Sequence, residues 1–580
     1  MPAIPPVSKI ADRPDPRHIW APKWEVILAR TLSLFALSAC SSTPDSVETD
    51  EAGPESPFFQ PSTTSAGTSE GFGMDQGIHF ELLDPHDSNI TTRHIRGVAI
   101  NDFDRDGDQD IFLATYATRW IRREPDSHAR PDGLYRNEGD LVFTPMAEQA
   151  FGSAIRTTAQ AAAWGDLDGD GLDDLYVTTA VDRPNLLYRN RGDGTFEEIG
   201  RQVDVASTKF GRGIALADVN RDGYLDMYVS NFVANLTAFE TNGKTEKPRR
   251  HPPLLGVRGC ANHMFIHDSS GRYVDMAGAM GVEGLSDGEG WGAAFCDLND
   301  DGYSDLFVTN DGRPDNFYVY RDGVFHDRSG QVLEKMIRRS RRTGAMGVAL
   351  GDYDNDRDID LYATNYYSDF LMENVNGVVL RRKSRESGIE RFTNVIGMGV
   401  AFADFDNDGD LDLAVANGDV AGFDPVRNIL MENVGGGCFV ESTETAGPGF
   451  AALQRSQGLA IGDLDDDGKL DIVIGNDDGS FPSVLVNRTE GAGGWIRLRL
   501  VGNPPNTSAI GARVWLVAGD ETQVRERRSG SSLYSCNENV IHFGLGEYTG
   551  LSLVKVRWPD GSFSEIEGVQ ARSTVTVAQP

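Results

Sequence analysis

One nine-residue pattern, D-x-[DN]-x-D-G-x-x-D, constrains this chain more than any other feature. It starts at Asp102, Asp166, Asp218, Asp297, Asp352, Asp404 and Asp463, at gaps of 64, 52, 79, 55, 52 and 59 residues. The sixth copy, inside GVAFADFDNDGDLDLAVANGD (399–419), places five aspartates in nine residues between two apolar runs. Carboxylates that close repel one another unless a cation sits among them.

The spacing identifies the cation's chemistry. Calcium takes about six to eight oxygens at roughly 2.3–2.6 Å, and side chains at positions 1, 3 and 5 of a tight loop converge on one point. Position 7 offers its carbonyl, position 9 closes the shell with a carboxylate, and glycine at position 6 allows the sharp turn. The ligand sets so predicted are Asp102, Asp104, Asp106 and Asp110; Asp166, Asp168, Asp170 and Asp174; Asp218, Asn220, Asp222 and Asp226; Asp297, Asn299, Asp301 and Asp305; Asp352, Asp354, Asp356 and Asp360; Asp404, Asp406, Asp408 and Asp412; and Asp463, Asp465, Asp467 and Asp471. The cofactor expected is calcium, in several copies and at most seven. Two loops depart with Asn220 and Asn299, each one charge fewer, and one with Arg357 where glycine belongs. A bulky cation at that position predicts a weaker site or one of altered shape.

An EF-hand is excluded. It needs Glu at position 12 and flanking helices, and position 12 here is Leu113, Val177, Val229, Val308, Ala363, Val415 and Ile474. The segments after the loops, such as LYVTT and LFVTN, are β-branched or aromatic, and those before, such as GVAI and GAAF, are small and apolar. Each loop therefore joins two strands of a hairpin. Further strand pairs follow most hairpins, as in NLLYRNRGDGTFEEI (185–199). Four strands per repeat, seven times, predict an all-β, seven-bladed β-propeller with calcium-binding hairpin loops. The segment GIHFELL (77–83) is expected to supply the outer strand of the last blade and so close the ring.

These repeats resemble the FG-GAP/VCBS repeats of integrin-α-type propellers, which implies calcium on one face of the propeller. The resemblance covers about 75–490. From Gly494 the repeat stops, and alternating segments such as WIRLRLVGN predict a small all-β domain. Ile510–Val514 (IGARV), His542–Gly546 (HFGLG) and Trp558–Gly561 (WPDG), with Asn503, make it similar to the ASPIC/UnbV domain that follows such propellers in the cartilage acidic protein family and many bacterial relatives. His542, beside Phe543 in a strand, reads as a core histidine.

The N-terminal part reads as a processing signal. An apolar run, TLSLFALSA, follows Arg30 and ends at Cys40, and Leu37–Cys40 (LSAC) resembles a bacterial lipoprotein box with Cys40 as the lipidated residue. The run is too short to span a bilayer. The residues before it are long for such a leader, which points to a start codon downstream of Met1. The organisation expected is a leader over 1–40, a disordered tether over 41–74, the propeller over 75–490 and the β domain over 491–580. That places the protein in the cell envelope, lipid-anchored to the outer membrane or cell surface, or in the periplasm, with the membrane itself as one partner.

Asp and Glu outnumber Lys and Arg by 88 to 54, for a formal net charge of −34. Nucleic-acid binding needs a basic surface and is excluded. The five cysteines show no metal spacing. Buried free thiols are the plain reading of the last four, with a Cys260–Cys296 bridge as the alternative. The RGD at Arg191–Asp193 lies in a turn that a blade requires between its outer strands.

No HExxH or Walker loop occurs. Two insertions, Tyr116–Asp132 and Ala234–Ala261, carry Arg119, Arg122, His128, Arg249, Arg250 and His251, a candidate ligand rim in an otherwise acidic protein. The leading function is a calcium-binding, surface-anchored binding, adhesion or interaction scaffold for an extracellular protein or glycan. The alternative is an enzyme, or an enzyme's accessory subunit, acting on extracellular polysaccharide.

Overall fold

Each acidic loop joins two antiparallel strands that begin a four-stranded sheet. In the first, Ile95–Asn101 pairs with Asp110–Thr115, followed by Gly133–Asn137 and Phe143–Pro145. The computed structural model describes residues 77–580 except 117–129, 153–155, 181–182, 233–259, 285–288, 333–343, 367, 376, 378, 390–394 and 419–424. Among the described residues seven sheets are built this way, one per loop, and helix is confined to short turns such as Ala147–Phe151. No helix there is long and apolar enough to cross a membrane. We number the sheets as blades 1 to 7 in the order of their loops. The outer strand of blade 7 is Phe80–Leu82, paired with Ser483–Asn487, so the first described strand completes the last blade.

The innermost strands neighbour one another in order, and that of blade 7 lies beside that of blade 1, which makes the array propeller-like. Their residues are buried throughout, as in IRGVAIN (95–101), GRGIALA (211–217) and AMGVALG (345–351). Sheets faced on both sides leave room only for small apolar side chains near the axis. Glycine makes the closest approaches possible: a Cβ on Gly213 would sit 2.5 Å from the Trp291 carbonyl oxygen, and one on Gly347 2.2 Å from that of Met398. The pairing slips at this level in every blade, between Gly211 and Gly213 and between Ala345 and Val348 for example. Such irregularities re-aim side chains, and Arg96, Gln160, Arg212, Trp291, Met346 and Met398 occupy them.

Asparagines tie blade to blade. In blade 1 the Nδ2 of Asn137 donates to the Leu464 carbonyl of blade 7 at 2.8 Å, and in blade 2 that of Asn190 donates to the Phe103 carbonyl of blade 1 at 2.9 Å. Asn374, Asn433 and Asn487 repeat the bond at 2.8, 2.8 and 2.7 Å. Blade 3 has His267 at this position, and there the Tyr273 hydroxyl makes the bond instead, to the Leu167 carbonyl at 2.9 Å.

The C-terminal module has two sheets, of three and four strands, over a core that includes Leu498, Leu516, Phe543, Val556 and Trp558. It is not simply appended to the repeats. Its segment from Arg528 to Glu538 enters the array and bonds to the innermost strand of every blade. Ser535 and Cys536 pair in parallel with Val98 and Ala99 of blade 1. The Ser529 hydroxyl donates to the Trp164 carbonyl of blade 2, and its own carbonyl accepts from Leu216 of blade 3 at 3.0 Å. Arg528 reaches Cys296 Sγ of blade 4 at 3.6 Å, Ser532 N–H donates to Val348 of blade 5 at 3.0 Å, and the Ser532 hydroxyl accepts from Val400 of blade 6 at 2.6 Å. Glu538 N–H donates to Ile461 of blade 7 at 3.0 Å. Leu533 packs in one cluster with Met346 and Met398, while Tyr534 meets Trp291 and the guanidiniums of Arg96 and Arg212.

Cys260, Cys296 and Cys536 are buried free thiols, so the Cys260–Cys296 bridge does not form. Cys438 is not among these free thiols, so the free-thiol reading does not hold for it. The RGD turn is a strand connection: Gly192 N–H donates to Asn190 Oδ1 at 2.9 Å, and Arg191 is 3.3 Å from Glu197.

Candidate metal centres on one face

The seven loops share one hydrogen-bonded frame. The position 9 carboxylate is buried, and in every loop but the fourth both its oxygens accept backbone N–H groups; there Asp305 Oδ1 accepts from Tyr320 at 3.0 Å and Oδ2 has no partner. Asp412 shows the common pattern, accepting from Phe405 and from Asn433 on the third strand, each at 2.9 Å, and Asp471 accepts from Leu464 and Asn487 at 2.8 and 2.7 Å. Position 9 therefore locks loop, hairpin and third strand together. The position 6 N–H donates to Oδ2 at position 1, from Gly171, Gly223, Gly302, Gly409 and Gly468 at 2.8–3.0 Å. The position 5 carboxylate caps the N–H at position 7, as Asp408 does for Asp410 at 2.8 Å.

The carboxylates at positions 1, 3 and 9 gather in five loops. Ligand oxygens lie within 4.8 Å of one another in Asp102–Asp104–Asp110, Asp166–Asp168–Asp174, Asp404–Asp406–Asp412, Asp463–Asp465–Asp471 and, with position 5 added, Asp352–Asp354–Asp356–Asp360. Position 5 stands outside the set in the other four. Several oxygens there are buried with no hydrogen-bond partner: Oδ1 of Asp102, Asp104, Asp166, Asp352, Asp354 and Asp465. A buried acceptor left so is costly unless a cation or donor meets it. Hard, charged oxygens suit a hard divalent cation, so these clusters could hold a metal ion.

The fifth loop does not have the altered shape expected of it. Arg357 takes the left-handed backbone, φ 81°, that Gly302 takes at 87°, and its N–H still reaches Asp352 Oδ2 at 3.1 Å. This loop gathers the most carboxylates of the seven.

Burial raises the carboxyl pKa values, and neighbouring carboxylates add to the effect. Asp110 is pushed up to about 9, although N–H groups of Asn137 and Phe103 oppose the shift. Asp352 and Asp404 rise to about 8 and Asp463 to about 7, against opposition from Arg525 for the first two and Arg497 for the third.

The C-terminal module touches the other oxygen of several position 1 aspartates. Arg499 lies 2.9 Å from Asp102 Oδ2 and Arg497 2.9 Å from Asp463 Oδ2. Arg557 pairs with Asp297 Oδ2, and the Thr507 hydroxyl donates to Asp166 Oδ2. In loops 1 and 2 the partnerless Oδ1 stays open while Oδ2 is held. These contacts escape a motif search, because the arginines sit singly in strands (WIRLRL, GARVW, KVRW) and carry no loop signature. Arg513 pairs with Asp300 at 2.9 Å. His542 is buried, its Nε2 3.1 Å from the Gly468 carbonyl, and burial depresses its pKa to about 3. Both residues are structural in these contacts. Cys40 and the rim residues Arg119, Arg122, His128, Arg249, Arg250 and His251 lie outside the described residues.

A family model described as FG-GAP-like repeat matches residues 102–177, 166–229, 297–363 and 352–415, and one described as ASPIC and UnbV matches 502–580. The chain is an FG-GAP repeat protein with an ASPIC/UnbV domain. It is homologous to cartilage acidic protein 1, being 27% identical over 535 residues to the Xenopus tropicalis protein, which spans 86% of this chain and 76% of that one. The Homo sapiens protein is 26% identical over 535 residues, 87% of this chain and 74% of its own. Among solved structures, an Agrocybe aegerita lectin that recognises non-reducing terminal N-acetylglucosamine overlaps at TM-score 0.37 and 16% identity, over 60% of this chain and 79% of the lectin. The V. cholerae biofilm matrix protein Bap1 overlaps at TM-score 0.31 and 13% identity, over 86% and 71%.

Proposed function

We propose that this FG-GAP protein is a calcium-stabilised interaction scaffold, held at a cell envelope by a lipid on Cys40, whose ligand is an extracellular protein or glycan. One observation carries the calcium reading: buried, partnerless carboxylate oxygens recur at position 1, position 3 or both in loops 1, 2, 5 and 7. A divalent cation satisfies them together and offsets the mutual repulsion of the cluster. Calcium suits the set because every predicted side-chain ligand is oxygen.

A scaffold role fits the way the axis is used. The segment Arg528–Glu538 bonds to all seven innermost strands, so the protein's own chain occupies the place where a propeller offers a central cleft. Buried carboxylates outside the loops have structural partners. Asp315 and Asp369, both raised to about 7 by burial, accept N–H groups of Asn310 and Asn365 at 2.9 and 2.7 Å and so fix strand ends. The anchoring reading rests on the LSAC box and the polar tether after it.

Thermal unfolding of the mature chain in calcium and then in chelator, with bound metal counted by elemental analysis, tests the calcium reading. Several calcium ions per chain and a large upward shift of the midpoint are expected, and a metal-free protein with no shift would overturn it. Mass spectrometry of the N-terminal peptide from the native host tests the anchor. A diacylglyceryl thioether on Cys40 is expected, and a free or disulfide-bonded Cys40 in the mature protein contradicts it.

A further inference from the structure

A cavity of about 130 Å³ lies where the C-terminal module meets the innermost strands of blades 5 to 7. One wall is apolar and includes Val348, Val400 and Ile461. The other carries Arg525, Glu526, Arg527, Arg528, Glu538 and His542.

The charges on that wall do not cancel locally. Its carboxylates face cations outside the cavity: Glu538 Oε2 lies 2.9 Å from Arg497 and Glu526 Oε2 lies 3.8 Å from Arg513, cations shared with Asp463 and Asp300. Asp404, which also borders it, accepts N–H groups of Asp408 and Gly409 at 3.1 and 2.9 Å. His542 is neutral. The three guanidiniums have only neutral acceptors. Arg525 bonds to the Val524 carbonyl at 3.0 Å and Gln523 Oε1 at 3.1 Å. Arg527 bonds to the Arg528 carbonyl, and Arg528 to the Leu350 carbonyl and Cys296 Sγ. Among the described residues none of the three has a carboxylate within 4.0 Å. Arg527 is 4% exposed, and Arg525 and Arg528 are half-buried. Burying charge without a counter-ion is expensive, and desolvation indeed holds Arg525 and Arg527 below the usual guanidinium range, against the more distant pull of Asp352 and Asp404 on Arg525.

We propose that this cavity binds a small inorganic anion, a halide or an oxyanion such as phosphate, held by Arg525, Arg527 and Arg528. The space fits one such ion with a few waters, each needing about 30 Å³. Guanidinium forks match oxyanions in geometry and charge. The waters also serve Glu538 Oε1 and His542 Nδ1, two buried acceptors with no partner. The anion would pin the C-terminal module at the propeller axis, apart from the contacts made at the acidic loops.

The test uses the calcium-loaded full chain. Crystals soaked in sodium bromide are expected to show an anomalous peak in the cavity touching at least two of the three guanidiniums. Water alone there, or a cation, would overturn the proposal. In solution, phosphate at constant ionic strength is expected to raise the unfolding midpoint of the wild type by about 2 °C or more and that of Arg527→Gln by much less. Equal responses would also overturn it. Bound calcium, counted in the same samples, keeps a failure at the loops distinct from a failure here.

Discussion

Blades 3 and 4 differ from the other five in a correlated way. Both groups keep the same frame, with position 9 bracketed by two N–H groups in every blade but the fourth and position 6 bonded to position 1 in every blade but the first. Yet in blades 3 and 4 position 3 is asparagine, and its amide is turned inward. Asn220 Nδ2 donates to Asp222 Oδ2 and Asn299 Nδ2 to Asp301 Oδ2, both at 3.0 Å. Position 7 is Tyr224 or Tyr303, and the tying asparagine of the third strand is replaced by His267 or Tyr320. Tyr224 stacks on His267 at 4.2 Å, and Tyr303 lies 5.6 Å from Tyr320. Position 1 rises to about 6 in both loops, against about 7 to 8 at Asp166, Asp352, Asp404 and Asp463. The backbone frame and the ion site are therefore separable: a blade can keep its hairpin geometry with a carboxylate fewer, provided an amide and an aromatic pair fill in.

That separation can be broken experimentally. The largest effect should come from position 9. Asp412→Ala leaves two buried N–H groups unmet and is expected to cost about 3 kcal/mol, as is Asp226→Ala in blade 3. In chelator denaturant titrations should show the two variants equally destabilised. In calcium the Asp412 variant should fall further, because it also loses a filled site. Equal losses in calcium would erase the distinction between the loops.

Acidity should act oppositely with and without the ion. Asp110, Asp352 and Asp404 have folded pKa values of about 9, 8 and 8, above the unfolded carboxyl value. In chelator their contribution to stability is therefore full below about pH 4 and is lost progressively as pH rises from there through 8 to 9. With calcium bound the ionised forms are required, so stability should fall as pH drops below about 6. Melting curves in both buffers across this range check the crossing.

Restoring charge is a smaller change. Asn220→Asp and Asn299→Asp add the missing carboxylates and should tighten calcium at those two loops about tenfold, measured by calorimetric titration. The smallest effect belongs to Arg357→Gly, which relieves a left-handed side-chain clash and should stabilise by about 1 kcal/mol with the loop geometry unchanged.

Much of the fold was legible because its signals are local. The aspartate spacing marks each hairpin turn, the small residues before it mark the innermost strand, and GIHFELL was readable as the strand that completes blade 7. The odd loops announced themselves through Asn220, Asn299 and Arg357. What stayed hidden is long-range. Nothing in RSGSSLYSC shows that Leu533 and Tyr534 enter the axis, since their partners, Met346, Met398, Trp291 and Arg212, lie in four different repeats. Arg497, Arg499 and Arg557 likewise gained meaning only once the fold set them against Asp463, Asp102 and Asp297 of the acidic loops. Arg357 left the loop's shape unchanged for a simpler reason: φ 81° is strained for arginine, but the frame around it holds the backbone.

The account's central claim is that the loops hold calcium through the oxygens they leave unsatisfied. An anomalous difference map from crystals grown in calcium tests it most directly. Strong peaks within coordination distance of Oδ1 of Asp102, Asp166, Asp352 and Asp465, with weaker peaks at the loops of Asn220 and Asn299, are predicted. Loops filled only by water, or peaks confined to blades 3 and 4, would contradict it.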